Sequence, residues 1–330
     1  MHLVPIKSLI NTLILAICFI TFSLTVKAQT IDRFALVNRH NVILNETDPL
    51  APLSVGNGDF AYTADVTGMQ SLEQYYYDNG IPLETLGTFA WHSFPKTGNL
   101  ELKNAMKASD FHGRKIMYAS MEKGDAGQYF RKNPHPVPLG QISMVRGSGT
   151  SLSVQEISQV NQKLDLWQGL LSSKYTIEGQ PVSVETVSSP DQSTVAFSMR
   201  STLLKNGRLK QAFRFPYAYD LSIKNKPPFQ WNNPERHQTL VISRESNKAV
   251  LKRIIDSTEY YVAVSWTGNA KFESDGPHRF FLDATGSDSI EIVKNDPGKN
   301  TGRKVAQSTY PVLKISVLLN WKEGSSYHNT

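Results

Sequence analysis

Apolar and polar residues alternate along most of this chain, in short runs bounded by turn residues. The clearest run follows Gly56-Asn57-Gly58, and its apolar positions are Phe60, Tyr62, Ala64 and Val66. Alternation with a period of two is typical of a strand that buries one face. A Gly-Asn-Gly sequence supplies the positive φ angles that a tight hairpin turn needs. The pattern therefore predicts a hairpin at the start of this run.

Similar runs predict strands for most of the remaining chain. The predicted strands are Asn41–Leu44, Leu72–Tyr77, Gly113–Ser120, Leu139–Val145, Gln162–Trp167, Leu170–Glu178, Val182–Thr186, Ser193–Arg200, Gln238–Ser243, Ala249–Ile255, Tyr260–Trp266, Arg279–Leu282 and Ser289–Val293. Asn133–Pro138 is predicted as an extended loop, because its alternating prolines cannot donate to a sheet. No segment before residue 300 shows a clear helical period, and Lys304–Trp321 has only a weak one that Pro311 interrupts. The pattern predicts an all-β sandwich with a short irregular or helical C-terminal tail.

The N-terminus has the composition of a secretory signal peptide. Met1–Lys7 is short and basic, Ser8–Val26 is almost wholly apolar, and the small residue Ala28 precedes Gln29. This arrangement predicts cleavage after Ala28 and a periplasmic or secreted protein with no stable membrane anchor. The apolar run is also about long enough to span a bilayer, so a retained anchor is the alternative.

Charge and cysteine content bear on how the mature chain is stabilised and on its partners. Cleavage after Ala28 removes the only cysteine, Cys18, and lowers the formal charge from +6 to +4 by removing Lys7 and Lys27. The mature chain then has no disulfide, so its core must stabilise it, and about 300 residues suffice for one large β domain. The basic residues are scattered rather than gathered in a stripe with aromatic residues, so nucleic acid is not an expected partner.

Generic catalytic motifs are absent from the sequence. It contains no Gly-x-Ser-x-Gly elbow, no phosphate-binding loop and no His-Glu-x-x-His, and histidines three or four residues apart are also missing. Neither a metal nor another cofactor is therefore predicted. The carboxylates available for glycoside chemistry include Asp59, Asp65, Asp78, Glu84 and Asp165. Asp59 and Asp78 stand at turns, where Asp commonly binds its own backbone, and are predicted as turn residues.

Five segments, taken in order, resemble bacterial proteins related to glycoside hydrolase families sixty-five and ninety-five. They are Leu53–Gln70, Trp91–Pro95, Leu139–Ile142, Leu164–Gly169, and Val182–Thr186 with Pro190-Asp191. Their common order makes the resemblance specific, and together they cover roughly residues 30–295. The resemblance implies an antiparallel β-supersandwich of the galactose mutarotase type. In the related enzymes a helical linker and an (α/α)6 barrel follow, and the barrel carries the catalytic carboxylates.

The resemblance also implies a division of this chain. The implied parts are a signal peptide at 1–28, a supersandwich at 29–295, and a linker with the truncated start of a missing barrel at 296–330. Asn320–Gly324 resembles the entry to the barrel, whereas Ser325–Thr330 departs from the pattern. The chain is therefore interpreted as a truncated, frameshifted or split gene product, to which no catalytic residue can be carried over.

Trp91 and His92 are the site residues that the resemblance favours. Loops of the sandwich in the related enzymes pack against the barrel and help to wall the sugar pocket. An indole face stacks on a sugar ring, and an imidazole hydrogen-bonds sugar hydroxyls. A role in the core or at the barrel interface is the alternative for both residues. The expected partners are an oligosaccharide or polysaccharide glycan and a missing or separately encoded (α/α)6 barrel.

Three functions follow, in order of preference. The first is the carbohydrate-associated N-terminal domain of a secreted α-glycosidase-type enzyme, without catalysis by this chain alone. The second is a free-standing periplasmic carbohydrate-binding module. The third is a mutarotase-type enzyme, which requires a histidine and a glutamate that converge in one groove.

Overall fold

A computed structural model describes residues 10, 11, 13, 14, 31–98, 100–223, 225–286, 289–291 and 313–321, the last two segments by their backbone path. The chain forms two compact units, Met1–His40 and Asn41–Thr330. The first unit contains helix α1 (Arg33–Asn38), where the Asp32 side chain accepts a hydrogen bond from the N–H of Ala35. The predicted signal peptide, apart from four residues, lies outside the described residues. No helix among the described residues has the length and apolar character that crossing a membrane requires.

The second unit is built of short strands joined by turns and a few short helices. Its strands are β1 (Val42–Leu44), β2 (Leu53–Gly56), β3 (Phe60–Ala64), β4 (Thr85–Gly87), β5 (Trp91–His92), β6 (Met106–Phe111), β7 (Arg114–Ala119), β8 (His135–Pro136), β9 (Gln141–Arg146), β10 (Ile157–Asp165), β11 (Leu170–Ile177), β12 (Gln180–Ser188), β13 (Thr194–Arg200), β14 (Leu209–Arg214), β15 (His237–Arg244), β16 (Lys248–Ile255), β17 (Thr258–Ser265), β18 (Lys271–Ser274), β19 (Arg279–Asp283), β20 (Ser289–Glu291) and β21 (Leu313–Trp321). Its helices are α2 (Glu73–Asn79), α3 (Leu102–Ala105), α4 (Gly124–Lys132) and α5 (Thr202–Lys205), with 3-10 turns at Val154–Glu156 and Pro234–Arg236.

One large antiparallel sheet runs through this unit. Its strand order is β1-β10-β11-β12-β13-β21-β17-β16-β15, and β20 also pairs with β13. Smaller sheets have the orders β18-β19-β14-β9 and β2-β3-β4, and β5 pairs with β8 and β6 with β7. Sequential strands β10 to β13 and β15 to β17 are neighbours, as the alternation in the sequence predicts.

The large sheet packs against the smaller sheets through a shared apolar core. Tyr62 of β3 meets Phe197 of β13 edge to face, with ring centroids 5.3 Å apart. The hydroxyl of Tyr175 on β11 lies 3.6 Å from the sulfur of Met144 on β9. All four side chains are buried. The prediction of an all-β sandwich is therefore confirmed.

The predicted opening hairpin is confirmed, and its two glycines serve different purposes. β2 and β3 pair antiparallel from Leu53 with Ala64 to Gly56 with Ala61. Gly58 has a φ of 98°, which L side chains disfavour. At Gly56 a Cβ atom would lie 2.4 Å from the Phe60 oxygen, so close backbone approach excludes a side chain there.

The strand predicted at Leu72–Tyr77 is wrong, because Glu73–Asn79 form α2. Leu72 and Tyr76 are both buried. They lie four residues apart, which places them on one face of a helix. Short helices such as α4 also occupy parts of the chain where the sequence predicts none.

The weak helical prediction for Lys304–Trp321 is wrong over its last nine residues, which form β21 between β13 and β17. Apolar residues fill every second position of this segment, namely Leu313, Ile315, Val317, Leu319 and Trp321. That strand period outweighs a poor helical one. The large sheet therefore continues beyond residue 295, into the segment interpreted as a linker and barrel entry. Residues 292–312 and 322–330 lie outside the described part of the chain.

Candidate functional site

Trp91 and His92 form the short strand β5, which pairs with His135–Pro136. Successive residues of a strand point to opposite faces. Accordingly Trp91 is 42% exposed and His92 only 1%. The segment predicted as a proline-rich extended loop thus pairs with β5 over two residues.

The indole of Trp91 is fixed at its edge. Its Nε1–H donates to the Thr88 carbonyl oxygen at 2.9 Å. The Thr258 hydroxyl donates to the Trp91 carbonyl oxygen at 3.3 Å, which connects β5 to the start of β17. The ring is therefore held by its polar atom while a large part of its surface faces solvent.

His92 has both ring nitrogens engaged inside the protein. Nε2 lies 2.9 Å from Asp256 Oδ2, and Nδ1 lies 3.1 Å from His135 Nε2. Asp256 stands in the two-residue turn between β16 and β17 with a φ of 51°. Positive φ is uncommon outside glycine and tolerated by Asp. A hydrogen bond from His92 to a sugar hydroxyl would therefore require one of its present contacts to break.

The two imidazoles have fewer protons than their contacts require. Nδ1 of His135 lies 3.2 Å from the Lys132 carbonyl oxygen, which can only accept. The contacts of His92 with Asp256, of His92 with His135 and of His135 with Lys132 each need one proton on a ring nitrogen. Two neutral imidazoles carry only two such protons. Burial lowers the pKa of His92, and it lowers that of His135 to about 4. At neutral pH one of the three contacts therefore lacks a proton.

Asp256 is held by a second donor besides His92. The Tyr217 hydroxyl donates to Asp256 Oδ2 at 2.6 Å, and Arg236 donates to the Tyr217 oxygen at 2.9 Å. The Arg236 guanidinium lies 4.4 Å from the Tyr217 ring centroid. Burial is the largest cause that raises the pKa of Tyr217. The proton of its hydroxyl therefore stays available to the carboxylate.

A buried arginine ties the same region to the large sheet. Arg253 is fully buried, and its guanidinium donates to the carbonyl oxygens of Pro216 at 2.7 Å and Gln238 at 3.0 Å. It also donates to the Thr239 hydroxyl at 2.6 Å. Within the described part of the chain no carboxylate forms an ion pair with it. Carbonyl and hydroxyl oxygens therefore take the place of the water molecules that would solvate the Arg253 guanidinium.

A second group of side chains lies on the segment between β14 and β15. Its backbone forms a small hairpin, in which Tyr219 bridges to Phe229. The rings of Tyr219 and Phe229 stack with centroids 5.6 Å apart, and Trp231 meets Phe229 edge to face at 5.5 Å. These three residues are called the aromatic row below. Tyr219 is buried, whereas Phe229 and Trp231 are half-buried.

Glutamates flank the aromatic row at both ends. Glu73 interacts with Arg214 and with the side chains of Gln141 and Trp231, and the Arg214 guanidinium lies 4.0 Å from the Trp231 ring centroid. At the opposite end Glu84 interacts with the side chain of Tyr219. Burial raises the pKa of both carboxyls. The sequence singles out Glu84 among other carboxylates but misses Glu73.

The other carboxylates named from the sequence have separate local roles. Asp59 is exposed, and its N–H donates to the Asn57 side chain, so Asn57 organises the turn. Asp78 lies in α2, and its carboxylate accepts a hydrogen bond from the Gln74 side chain at 2.9 Å. Asp165 lies at the end of β10, and its carboxylate accepts a hydrogen bond from the Gln168 N–H at 3.0 Å. None of these contacts joins two of the carboxylates into a pair.

Asp65 is the most deeply buried of these carboxylates, with no exposed surface. Its oxygens accept from the N–H and hydroxyl of Thr67 at 2.8 and 2.5 Å and from the Leu72 N–H at 2.6 Å. Burial raises its pKa to about 6, against these hydrogen bonds, which lower it. It therefore braces the start of α2 from inside the core.

The contacts around His92 escape prediction from the sequence. Asp256 lies 164 residues from His92 along the chain, and His135 lies 43. The only local sign is that Asp256 falls between two predicted strands, where a turn residue is expected. Among the described residues no group of three or more histidines, cysteines, aspartates or glutamates is arranged to hold a metal ion.

Comparison with solved structures gives matches to this chain. No protein-family model matches the chain, and no curated protein matches it. A solved structure described as a kojibiose phosphorylase from the human microbiome aligns with a TM-score of 0.49 and 8% sequence identity. The alignment covers 86% of this chain and 32% of that protein, so this chain spans about a third of its length. At this level the likeness assigns no activity and no ligand to the chain.

Proposed function

We propose that this chain is a carbohydrate-binding domain of the kind that accompanies a secreted α-glycosidase-type enzyme. The observation that carries the proposal is Trp91, which is 42% exposed and whose indole is fixed at its edge to the Thr88 backbone. A rigid aromatic face in water suits the apolar face of a sugar ring, because stacking loses little side-chain entropy. The resemblance of five ordered segments to glycoside hydrolases supports the same assignment.

Under this proposal the residues behind Trp91 position it instead of reacting. His92, His135 and Asp256 hold the short strand β5 on its buried side, where His92 is only 1% exposed. Chemistry would belong to an (α/α)6 barrel, in the same protein or a partner, as the resemblance implies. A mutarotase-type activity is less well supported, since His92 meets Asp256 instead of a glutamate and has both nitrogens occupied.

The proposal is tested by calorimetric titration with neutral oligosaccharides. We would titrate the purified chain with malto-, xylo- and manno-oligosaccharides of two to six units. Binding to at least one series, weakened tenfold or more by Trp91→Ala, is the expected result. Trp167→Ala is the matched control, because its indole is 45% exposed at another place in the fold. No heat with any of the three series, or equal losses in both variants, would overturn the proposal.

We also propose that the chain is exported, on the basis of its N-terminal sequence. Expression in a Gram-negative host, followed by N-terminal sequencing of the periplasmic protein, tests this directly. The expected new N-terminus is Gln29. A chain that keeps Met1 and stays with the membrane would instead support the alternative of a retained anchor.

A further inference from the structure

The exposed face of strand β5 continues onto its partner strand β8. Trp91 and Pro136 are directly opposite each other in this antiparallel pair. Side chains at opposite positions of such a pair lie on the same face. Both residues are exposed, whereas His92 and His135, on the other face, are buried. The indole and the proline ring therefore form one apolar surface that faces solvent.

Polar groups of the opening hairpin reach the edge of this surface. The Trp91 Nε1–H donates to the Thr88 carbonyl oxygen at 2.9 Å. Thr88 is bound in turn to Asp59, the first residue after the Gly56-Asn57-Gly58 turn. Its N–H donates to the Asp59 carbonyl oxygen at 2.8 Å, and its hydroxyl donates to Asp59 Oδ1 at 3.3 Å. Hydrogen bonds thus lead from the indole nitrogen through Thr88 to the Asp59 carboxylate.

The turn that carries Asp59 is fixed by the side chain of Asn57. Asn57 Oδ1 accepts from the N–H groups of Asp59 at 3.1 Å and Phe60 at 2.9 Å. Its amide nitrogen donates to the carbonyl oxygens of Ser189 and Gln192, both at 3.0 Å, in the connection between β12 and β13. A ligand that binds Asp59 therefore meets a backbone that is already ordered, which lowers the entropic cost of binding.

The Asp59 carboxylate has acceptor capacity that the fold leaves unused. Asp59, Thr88 and Trp91 are all exposed. Within the described part of the chain, the Thr88 hydroxyl is the only side-chain donor to this carboxylate, and no basic residue forms an ion pair with it. A carboxylate has about four lone-pair sites, so Oδ2 remains open to a ligand.

An open acceptor beside an apolar ring suits one class of ligand. A sugar presents an apolar face to an aromatic ring, and the hydroxyls at its rim donate hydrogen bonds. A ligand that itself carries a carboxylate would be repelled by Asp59, because like charges at short range disfavour each other. A purely apolar ligand would leave the carboxylate without a donor where it displaces water.

We propose that Asp59 contacts the sugar that stacks on Trp91, accepting hydrogen bonds from its hydroxyls and selecting neutral glycans over anionic ones, while Thr88 holds the carboxylate beside the indole. This inference rests on the proposed carbohydrate-binding function. It gives a ligand-binding role to a residue that the sequence predicts only as a turn residue, and it specifies the charge of the ligand.

Asp59→Asn separates contact with the ligand from support of the turn. The asparagine oxygen can still accept from the Thr88 hydroxyl, and the backbone contacts of residue 59 are kept. The second oxygen becomes an amide nitrogen, which only donates. We expect the affinity for the neutral series that binds in the titration above to fall by about fivefold or more. The midpoint of urea unfolding should equal that of the wild type.

Oligogalacturonate of the same length is the anionic probe, used at low ionic strength because salt screens exposed charges. The wild-type chain should bind it more weakly than the neutral series. Asp59→Asn should bind it more tightly than the wild type, because the repulsion is removed. The variant thus changes the two affinities in opposite directions, whereas damage to the fold would lower both. Asp59→Ser also removes the charge and should reproduce both changes.

Asp78→Asn is the matched control, because Asp78 is likewise exposed and accepts from one side chain, that of Gln74 at 2.9 Å. It should change neither affinity. The inference is wrong if Asp59→Asn binds the neutral series within twofold of wild type, or if it gains no affinity for the anionic probe. The proposed function stands in that case, provided that Trp91→Ala still weakens binding tenfold or more. If the wild-type chain binds none of the neutral series, the proposed function fails and this inference falls with it.

Discussion

His92 Nε2 lies 2.9 Å from Asp256 Oδ2, although 164 residues separate them in sequence. The contact joins β5 to the turn between β16 and β17, two strands of the large sheet. His92 is buried, and Asp256 adopts a positive φ of 51° that places its carboxylate against the imidazole. Unusual backbone geometry of this kind persists where the surrounding contacts require it. The pair thus fixes the strand that presents Trp91.

Replacement of Asp256 by asparagine should destabilise the protein. The asparagine side chain would keep the shape of the aspartate and tolerate the positive φ, but the charge-assisted hydrogen bonds from His92 and Tyr217 would be lost. We expect the free energy of unfolding in urea to fall by about 1–3 kcal/mol. A double-mutant cycle that combines His92→Asn with Asp256→Asn should give a coupling energy of about 0.5 kcal/mol or more between His92 and Asp256. The exposed Asp275→Asn is the control, and additivity of His92→Asn and Asp256→Asn would contradict the prediction.

Asp65 should make the protein less stable as pH rises. Its pKa is about 6 in the folded state against an ordinary 3.8, so folding favours the protonated form. Stability from this group is complete below about pH 4 and is lost as pH rises through about 6, a change of roughly 3 kcal/mol. Urea unfolding at several pH values between 3.5 and 7.5 measures how the free energy of unfolding falls with rising pH. Asp65→Asn should remove this slope, and Thr67→Val, which deletes a hydrogen bond to the carboxylate, should move the window to higher pH. An unchanged slope in Asp65→Asn would refute the assignment.

His237 should act in the opposite direction, making the protein less stable in acid. Burial lowers its pKa to about 3 from an ordinary 6.5, and its ring stacks on His278 with centroids 3.6 Å apart. The neutral form is favoured by the fold, so this stability is complete above about pH 6.5 and is lost as pH falls towards 3. His237→Phe keeps a stacking ring without a titrating group. The difference in free energy of unfolding between wild type and His237→Phe should become smaller as the pH falls. The corresponding difference for Val241→Ala should not change with pH. A difference for His237→Phe that does not depend on pH would contradict the prediction.

Arg253 should tolerate no replacement, including lysine. Its planar guanidinium reaches the carbonyl oxygens of Pro216 and Gln238 at the same time. A lysine ammonium cannot reproduce that fork, so at least one buried carbonyl would lose its partner. We expect Arg253→Lys to lower the free energy of unfolding by about 2 kcal/mol or more. Arg244→Lys, at an exposed position of β15, should change it by less than about 0.5 kcal/mol. If Arg253→Lys also lowered the free energy of unfolding by less than about 0.5 kcal/mol, the prediction would be wrong, because the carbonyl oxygens would then have found other donors.

The sequence by itself determined the strand pattern and the type of fold. Alternation with a period of two placed β3, β11, β12, β16 and β17 correctly, because one buried face per strand requires an apolar residue at every second position. It failed at α2, where three consecutive tyrosines have no clear period. It also failed at β21, where a weak helical period over Lys304–Trp321 was considered and the alternation from Leu313 to Trp321 was missed. It also marked Trp91 and His92 as neighbours of interest without separating their roles.

Only the tertiary structure decided which of those residues faces solvent and what lies beside the other. The pairing of β5 with β8 turned Trp91 outward and His92 inward. The contacts of His92 with Asp256 and His135, and those of Glu84 and Glu73 with the aromatic row, join segments that are far apart in sequence. Periodicity reports whether a residue is buried, because burial repeats with the local geometry of a strand. It cannot report the partner, because strand order and loop packing depend on the whole sheet.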